Sequence, residues 1–247
     1  MNAFFRYSRL VIVATGFGMA TLANATVWDL NADWSDVNNS NGAWSYREGT
    51  NLLPSRTFGV ADGWATSQTA WGRSGANNYI PAVLKSNGTE NFTHDWLAGD
   101  VVMHSTDTTN GVGNGPGNML WTSPVSGLAS ITGDVWMGRE ISRSVDWSIW
   151  DNGTKITGGT VASGDPYSRS SPFLLSAGSG GAAAITNISI ATGDTLRLQL
   201  DTTPDTPYGD FVGMNFTITT SSVPEPTSVL AISAGLGALL VRRRRKS

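Results

Sequence analysis

Two histidines, His94 and His104, and no cysteine occur in the 247 residues, so nucleophilic or metal chemistry has few places to reside. A Ser-His-Asp set would have to use one of those two rings. Asp95 follows His94 directly, but adjacency in the chain is not triad geometry, and no Gly-x-Ser-x-Gly elbow is present. His104 falls in the run Val101-Val102-Met103-His104-Ser105, which predicts a strand residue with its ring at the sheet surface. Without Cys there is no thiolate metal site and no disulfide framework. Acidic side chains are so numerous that carboxylate pairs arise by chance, and those beside Asn152 and Gly193 read as turn residues bonding local backbone. The sequence therefore points away from an enzyme.

Binding chemistry has better material. Asp and Asn side chains with loop carbonyls are the usual calcium ligands. Asp107 and Asn110, followed by Asn114 and Asn118, form one candidate set for a structural calcium, and Asp205 with Asp210 a second. Neither stretch follows a defined calcium-loop pattern, and solvated turns are the alternative. No cofactor is required by any motif. Of the ten tryptophans, Trp147, Trp121 and Trp28 sit in apolar surroundings that predict packing. Trp64 and Trp71 lie among Gly, Ser, Asn and Thr, where an exposed ring would stack on a sugar face and make them candidate ligand-binding residues.

The elements that would position such residues are strands. Leu196, Leu198 and Leu200 alternate with polar residues, as do Val212, Met214, Phe216 and Ile218. Ala129, Ile131, Val135 and Met137 alternate with Ser130, Thr132, Asp134 and Trp136. Each run predicts a strand with one face in a core and one toward water. Val145, Trp147 and Ile149 form another, and Asp151-Asn152-Gly153 supplies a tight hairpin before the chain returns from Thr154. Further strands are expected over 27–30, 56–60, 101–105, 119–122, 173–176 and 184–190. About ten strands without an internal repeat predict an all-β fold, two antiparallel sheets in a jelly-roll-like sandwich. The stretches 62–78 and 107–118 read as long polar loops.

Charge is segregated. Residues 26–226 carry nine basic and nineteen acidic side chains, a net charge of −10, with the other basic residues at the two ends. An acidic body with no basic stripe excludes nucleic acid as a partner. Residues 1–25 have the three parts of a secretory signal: Arg6 and Arg9, an uncharged stretch from Leu10 to Ala20, and Ala23-Asn24-Ala25 at the positions a signal peptidase inspects. Cleavage before Thr26 is expected, leaving a body of 26–222. Residues 223–247 read Val223-Pro224-Glu225-Pro226, fifteen uncharged residues over 227–241, then Arg242, Arg243, Arg244, Arg245 and Lys246 over 242–246. As a helix, 227–241 would reach only about 22 Å, a short transmembrane helix against ~30 Å of hydrocarbon. The basic cluster would hold its end on the cytoplasmic face.

That tail resembles the PEP-CTERM sorting signal. The resemblance implies an exosortase substrate of a Gram-negative, exopolysaccharide-making bacterium: transient inner-membrane anchoring, removal of the tail by an exosortase-type membrane protease, and release to the cell surface or extracellular matrix. Asn39-Ser40-Asn41-Gly42-Ala43-Trp44-Ser45-Tyr46, Gly99-Asp100-Val101-Val102-Met103-His104 and Gly209-Asp210-Phe211-Val212-Gly213 resemble the recurrent body of such surface proteins, which is similar to galactose-binding-like jelly rolls. The function expected is a non-catalytic, polysaccharide-associated binding module. A secreted hydrolase of glycans or esters and a purely structural matrix scaffold are the alternatives.

Overall fold

In the computed structural model the described residues are 25–74, 79–107, 113 and 115–222. The expected signal peptide, apart from Ala25, lies outside them. So do the Pro-Glu-Pro box, the apolar helix and the arginine cluster. Among the described residues no helix is long and apolar enough to cross a membrane.

The alternating runs become the centre of two sheets. Strands β1 (Ala25–Asp29), β4 (Ser55–Phe58), β5 (Gln68–Gly72), β6 (Ala82–Lys85), β7 (Val101–His104), β9 (Gly127–Met137), β12 (Phe173–Leu174), β13 (Ile188–Ile190) and β15 (Phe211–Ser221) form a nine-stranded sheet. Its order is β12-β9-β15-β7-β6-β5-β4, with β1 also on β15 and β13 also on β9. Strands β2 (Trp44–Glu48), β3 (Asn51–Leu52), β8 (Gly117–Thr122), β10 (Ser144–Asp151), β11 (Thr154–Ala162) and β14 (Thr195–Thr202) form a six-stranded sheet, ordered β11-β10-β14-β8-β2-β3. Every pairing between these strands is antiparallel. The fold is thus all-β, two packed sheets, as the alternation predicts.

The β10–β11 hairpin turns on Asn152 and Gly153, both at positive φ (45° and 90°), the conformation an Asn-Gly pair adopts most readily. Between the sheets, Trp44, Tyr46, Trp121, Trp147 and Phe216 interlock with the aliphatic faces of β9, β14 and β15. β1 lies beside the far end of β15, with Ala25 opposite Ser221, so the two ends of the described body emerge side by side.

Three expectations need correction. Residues 68–72 are a strand inside the nine-stranded sheet, not part of a polar loop, and β6 beside it was not anticipated. Neither shows alternation because both of its faces are covered: Trp71 and Val83 enter the inter-sheet core, while Ala70, Ala82 and Leu84 enter another. The strand expected over 184–190 begins only at Ile188, after a single α-helical turn, α1 (Gly181–Ala184). Its Gly-Ala run carries too little side chain to hold a strand face.

The second core is the feature that builds the site. The outward face of the nine-stranded sheet is roofed by chain 59–67 and 86–100, and Phe58, Trp64, Leu84, Trp96, Val102 and Trp136 pack beneath. Trp136, expected on a solvated face, is buried at 2% exposure. Its indole lies across Gly213, its partner in β15, where even a Cβ would collide with the ring. Gly213→Val should therefore lower the unfolding free energy by at least about 1–3 kcal/mol through overpacking. An unchanged urea midpoint would show that Trp136 has room to move.

Candidate functional site

The roof is held by short, local bonds. Asp62 accepts from the Gly59 amide (2.8 Å) and closes a 3-10 turn over Val60–Asp62. Trp64 then bridges to Glu90, with Ala65 N donating to Thr89 O (2.7 Å) and Asn91 N to Gly63 O (2.7 Å). These bonds lace the two roof segments together. Glu90 is their knot: it accepts from the Ser86 hydroxyl (2.6 Å) and the Trp96 indole N–H (2.9 Å), with His94 Nε2 at 4.0 Å. Burial alone would raise its pKa, but those hydrogen bonds outweigh burial and hold the carboxylate below its ordinary range. The Trp136 indole donates to Asp95 O (2.6 Å), which fastens the roof to the sheet.

Where the roof ends, a cavity of about 310 Å³ opens. Phe58, Trp64, Phe92 and Phe211 are among its lining residues, with Asp62, His104, Asp107, Arg139 and Arg143 as the charged or titratable ones. The rings brace one another: Phe58 stacks on Trp64 (4.7 Å between centroids), Trp64 meets Phe92 edge-on (5.4 Å), and Phe92 stacks on Phe211 (6.1 Å). Arg139, just past β9, lies over Phe92 (4.7 Å). Arg143, just before β10, lies over Tyr208 (5.3 Å) and donates from one η nitrogen to Gly209 O (2.6 Å). Each guanidinium is positioned by a ring and presents its N–H edge elsewhere.

His104 closes β7 on the roofed face, edge-on to Phe211 at 4.9 Å. It is 5% exposed. Burial, the largest influence, lowers its pKa to about 4, so the ring is neutral near pH 7. Beneath the cavity the Asp210 side chain is sealed from water, its pKa pushed up to about 6 by burial against the opposing pull of Arg139 and Arg143.

The structure separates the residues singled out by sequence. Trp64 lines the cavity, but as a wall 2% exposed rather than an open platform. Trp71 is not at the site. Its ring is in the inter-sheet core and its indole N–H donates to Ser35 O (2.9 Å). Both rings are buried because the polar context that suggested exposure belongs to roof and turn residues around them. Asp107 is buried in the cavity wall, Asp210 lies below it, and Asp205 is exposed on a loop. Asn110 lies outside the described residues. Asp107, Asp205 and Asp210 do not gather, and among the described residues no group of three or more His, Asp or Glu side chains is placed to hold a metal. His104 meets Ser105 through the backbone carbonyl, not the hydroxyl, so these two do not form a Ser-His pair. His104 is at the sheet face as expected, but roofed rather than solvated.

Arg139, Arg143, Phe58, Phe92 and Phe211 were not singled out by sequence. The available signal was Trp136 at an outward position of an alternating strand, which implies a second cover over that face.

No family model matches the chain, and no curated protein does. Among solved structures it is similar to CBM51-2 in complex with GlcNAc and INT domains from Clostridium perfringens ZmpB, at 12% identity and a TM-score of 0.36. The likeness covers 79% of this chain and 32% of that one, so the chain spans about a third of that protein's length.

Proposed function

We propose that the chain is an exported, non-catalytic carbohydrate-binding module of jelly-roll type, sorted to the cell surface or matrix and associated there with polysaccharide. The supporting observation is the roofed cavity. Phe58, Trp64, Phe92 and Phe211 line it together with two arginines, two aspartates and a neutral histidine. Polyols combine apolar ring faces with hydroxyls that both donate and accept, and that mixture is what such a lining matches. At about 310 Å³ the cavity suits a single ring or a chain end rather than a long segment. A concave site of this kind favours the binding reading over a scaffold. The export half of the proposal rests on the signal segment and the Pro-Glu-Pro tail, with signal peptidase and an exosortase-type protease as processing partners and exopolysaccharide as the ligand source.

The test is a glycan array followed by calorimetry on the body 26–222, which the described residues show as one compact unit. Retention of at least one glycan is expected. Phe92→Ala, which removes a wall and the ring beneath Arg139, should weaken that binding about tenfold or more. Binding to no polysaccharide fragment, or affinity indifferent to Phe92, would remove the carbohydrate reading. Mass spectrometry of protein from its own host tests export separately: the mature chain should begin at Thr26.

A further inference from the structure

We infer that His104 sets the specificity of the cavity, its bare Nε2 accepting a hydrogen from one hydroxyl of the bound sugar. That position of the ligand must then carry a hydrogen-bond donor, a hydroxyl in an unsubstituted sugar, and not a carboxylate, phosphate or ether oxygen. The inference rests on the sugar-binding reading and adds to it the chemistry of one contact.

The geometry runs through the backbone. His104 Nδ1 lies 2.9 Å from the carbonyl oxygen of Ser105. A carbonyl can only accept, so the ring carries its hydrogen on Nδ1, and a neutral ring of that tautomer has a lone pair on Nε2. Nε2 has no hydrogen-bond partner among the described residues, and it is not among the buried polar atoms sealed from solvent. The ring is among the residues that line the cavity, which is where an unsealed Nε2 would meet a ligand. Its neighbours hold the arrangement: Ala82, opposite His104 across β6 and β7, is small, and Phe211 sits edge-on to the ring.

The charged groups around the imidazole are Arg139, Arg143, Asp62 and Asp107 at the cavity, with Asp210 beneath. Burial, the largest influence, and the two arginines oppose a second proton on the ring; the bond to Ser105 O and the Asp107 charge favour one, and burial prevails, holding the pKa at about 4 and the ring neutral near pH 7. A carboxylate or phosphate at Nε2 would set lone pair against lone pair. A hydroxyl is the group that can donate there while its oxygen accepts from a neighbour. Leaving a buried acceptor unmatched costs roughly ten- to a hundredfold in affinity.

The experiment uses the body 26–222 with the methyl glycosides of glucose, galactose, mannose and N-acetylglucosamine. The tightest binder is then tested as its monodeoxy and monofluoro derivatives against the unaltered protein, His104→Phe and His104→Gln. One ring position should lose roughly ten- to a hundredfold on either change in the unaltered protein. That loss should vanish in His104→Phe and return in part in His104→Gln, which restores an acceptor. Nitrogen-15 NMR of the ligand-free imidazole should show Nδ1 protonated and Nε2 bare from pH 5 to 8, a reading that needs no variant. A ring protonated on Nε2, or a fluoro penalty equal in His104→Phe, overturns the inference while sugar binding stands. If none of the four glycosides binds while the array retains a glycan, the inference falls and the sugar reading stands; if the array retains none, both fall.

Discussion

Trp64→Ala is expected to abolish measurable sugar binding and to lower the unfolding free energy by about 3–5 kcal/mol, the usual cost of truncating a buried tryptophan. Trp71→Ala should cost about as much stability and leave the affinity of the folded fraction unchanged. The two residues have nearly the same sequence context and nearly the same burial, 2% and 4% exposed. They differ in which face of the nine-stranded sheet they serve. Trp64 holds Phe58 and Phe92 in place, and both are walls of the cavity. Trp71 fills the gap between the sheets, with Tyr46 as its ring neighbour at 6.3 Å. Urea unfolding gives the stabilities, and calorimetry in buffer, scaled to the folded fraction, gives the affinities. Equal loss of affinity in both variants would mean that the two cores do not act separately, and that the cavity is a by-product of global packing.

The second large effect is in acid. Asp210 titrates at about 6 when folded and at 3.8 in its ordinary state. As pH falls through 6, the folded side chain takes up its proton while the unfolded one does not until 3.8. Asp210 therefore adds stability between about pH 6 and 4, up to about 3 kcal/mol. His104 does the opposite. It titrates at 6.5 in its ordinary state and at about 4 when folded, so falling pH charges the unfolded chain first. It removes about 3 kcal/mol across nearly the same window.

The two contributions nearly cancel between about pH 6.5 and 4. Asp210→Asn should uncover the histidine: unfolding free energy, measured by urea titration at pH 7, 5.5 and 4.5, should drop about 2 kcal/mol further between pH 7 and 4.5 than in the unaltered protein. His104→Phe should uncover the aspartate and show stability rising over the same range relative to the unaltered protein. Parallel profiles for all three proteins would exclude both buried titrations.

How much of this could be read from the chain follows from covering. β9, β14 and β15 were legible because one face of each is wetter than the other, and the Leu196-Leu198-Leu200 series alternates cleanly. β5 and β6 were not legible, because Ala70-Trp71 and Ala82-Val83-Leu84 are buried on both sides and lose the period that marks a strand. The same double burial hid the site. Its walls come from positions 58, 64, 92 and 211, brought together only by strand order β15-β7-β6-β5-β4 and by the laced roof. Spacing along the chain carries no trace of that order. The two arginines escaped notice for a simpler reason: a solitary Arg between strands looks like any solvated turn residue until a ring is found beneath it.

β15 has a mechanical consequence. It is an eleven-residue strand with Phe211 in the cavity wall at one end and Ser221 beside Ala25 at the other, roughly 33 Å away. A body held by its C-terminal end would carry Phe211, and the cavity it lines, about one strand length from the attachment. Tension from a captured ligand would then run lengthwise down β15. The hydrogen bonds that join it to β9, from Val212 opposite Met137 to Ser221 opposite Leu128, lie across that direction and would resist shear together rather than unzip one at a time.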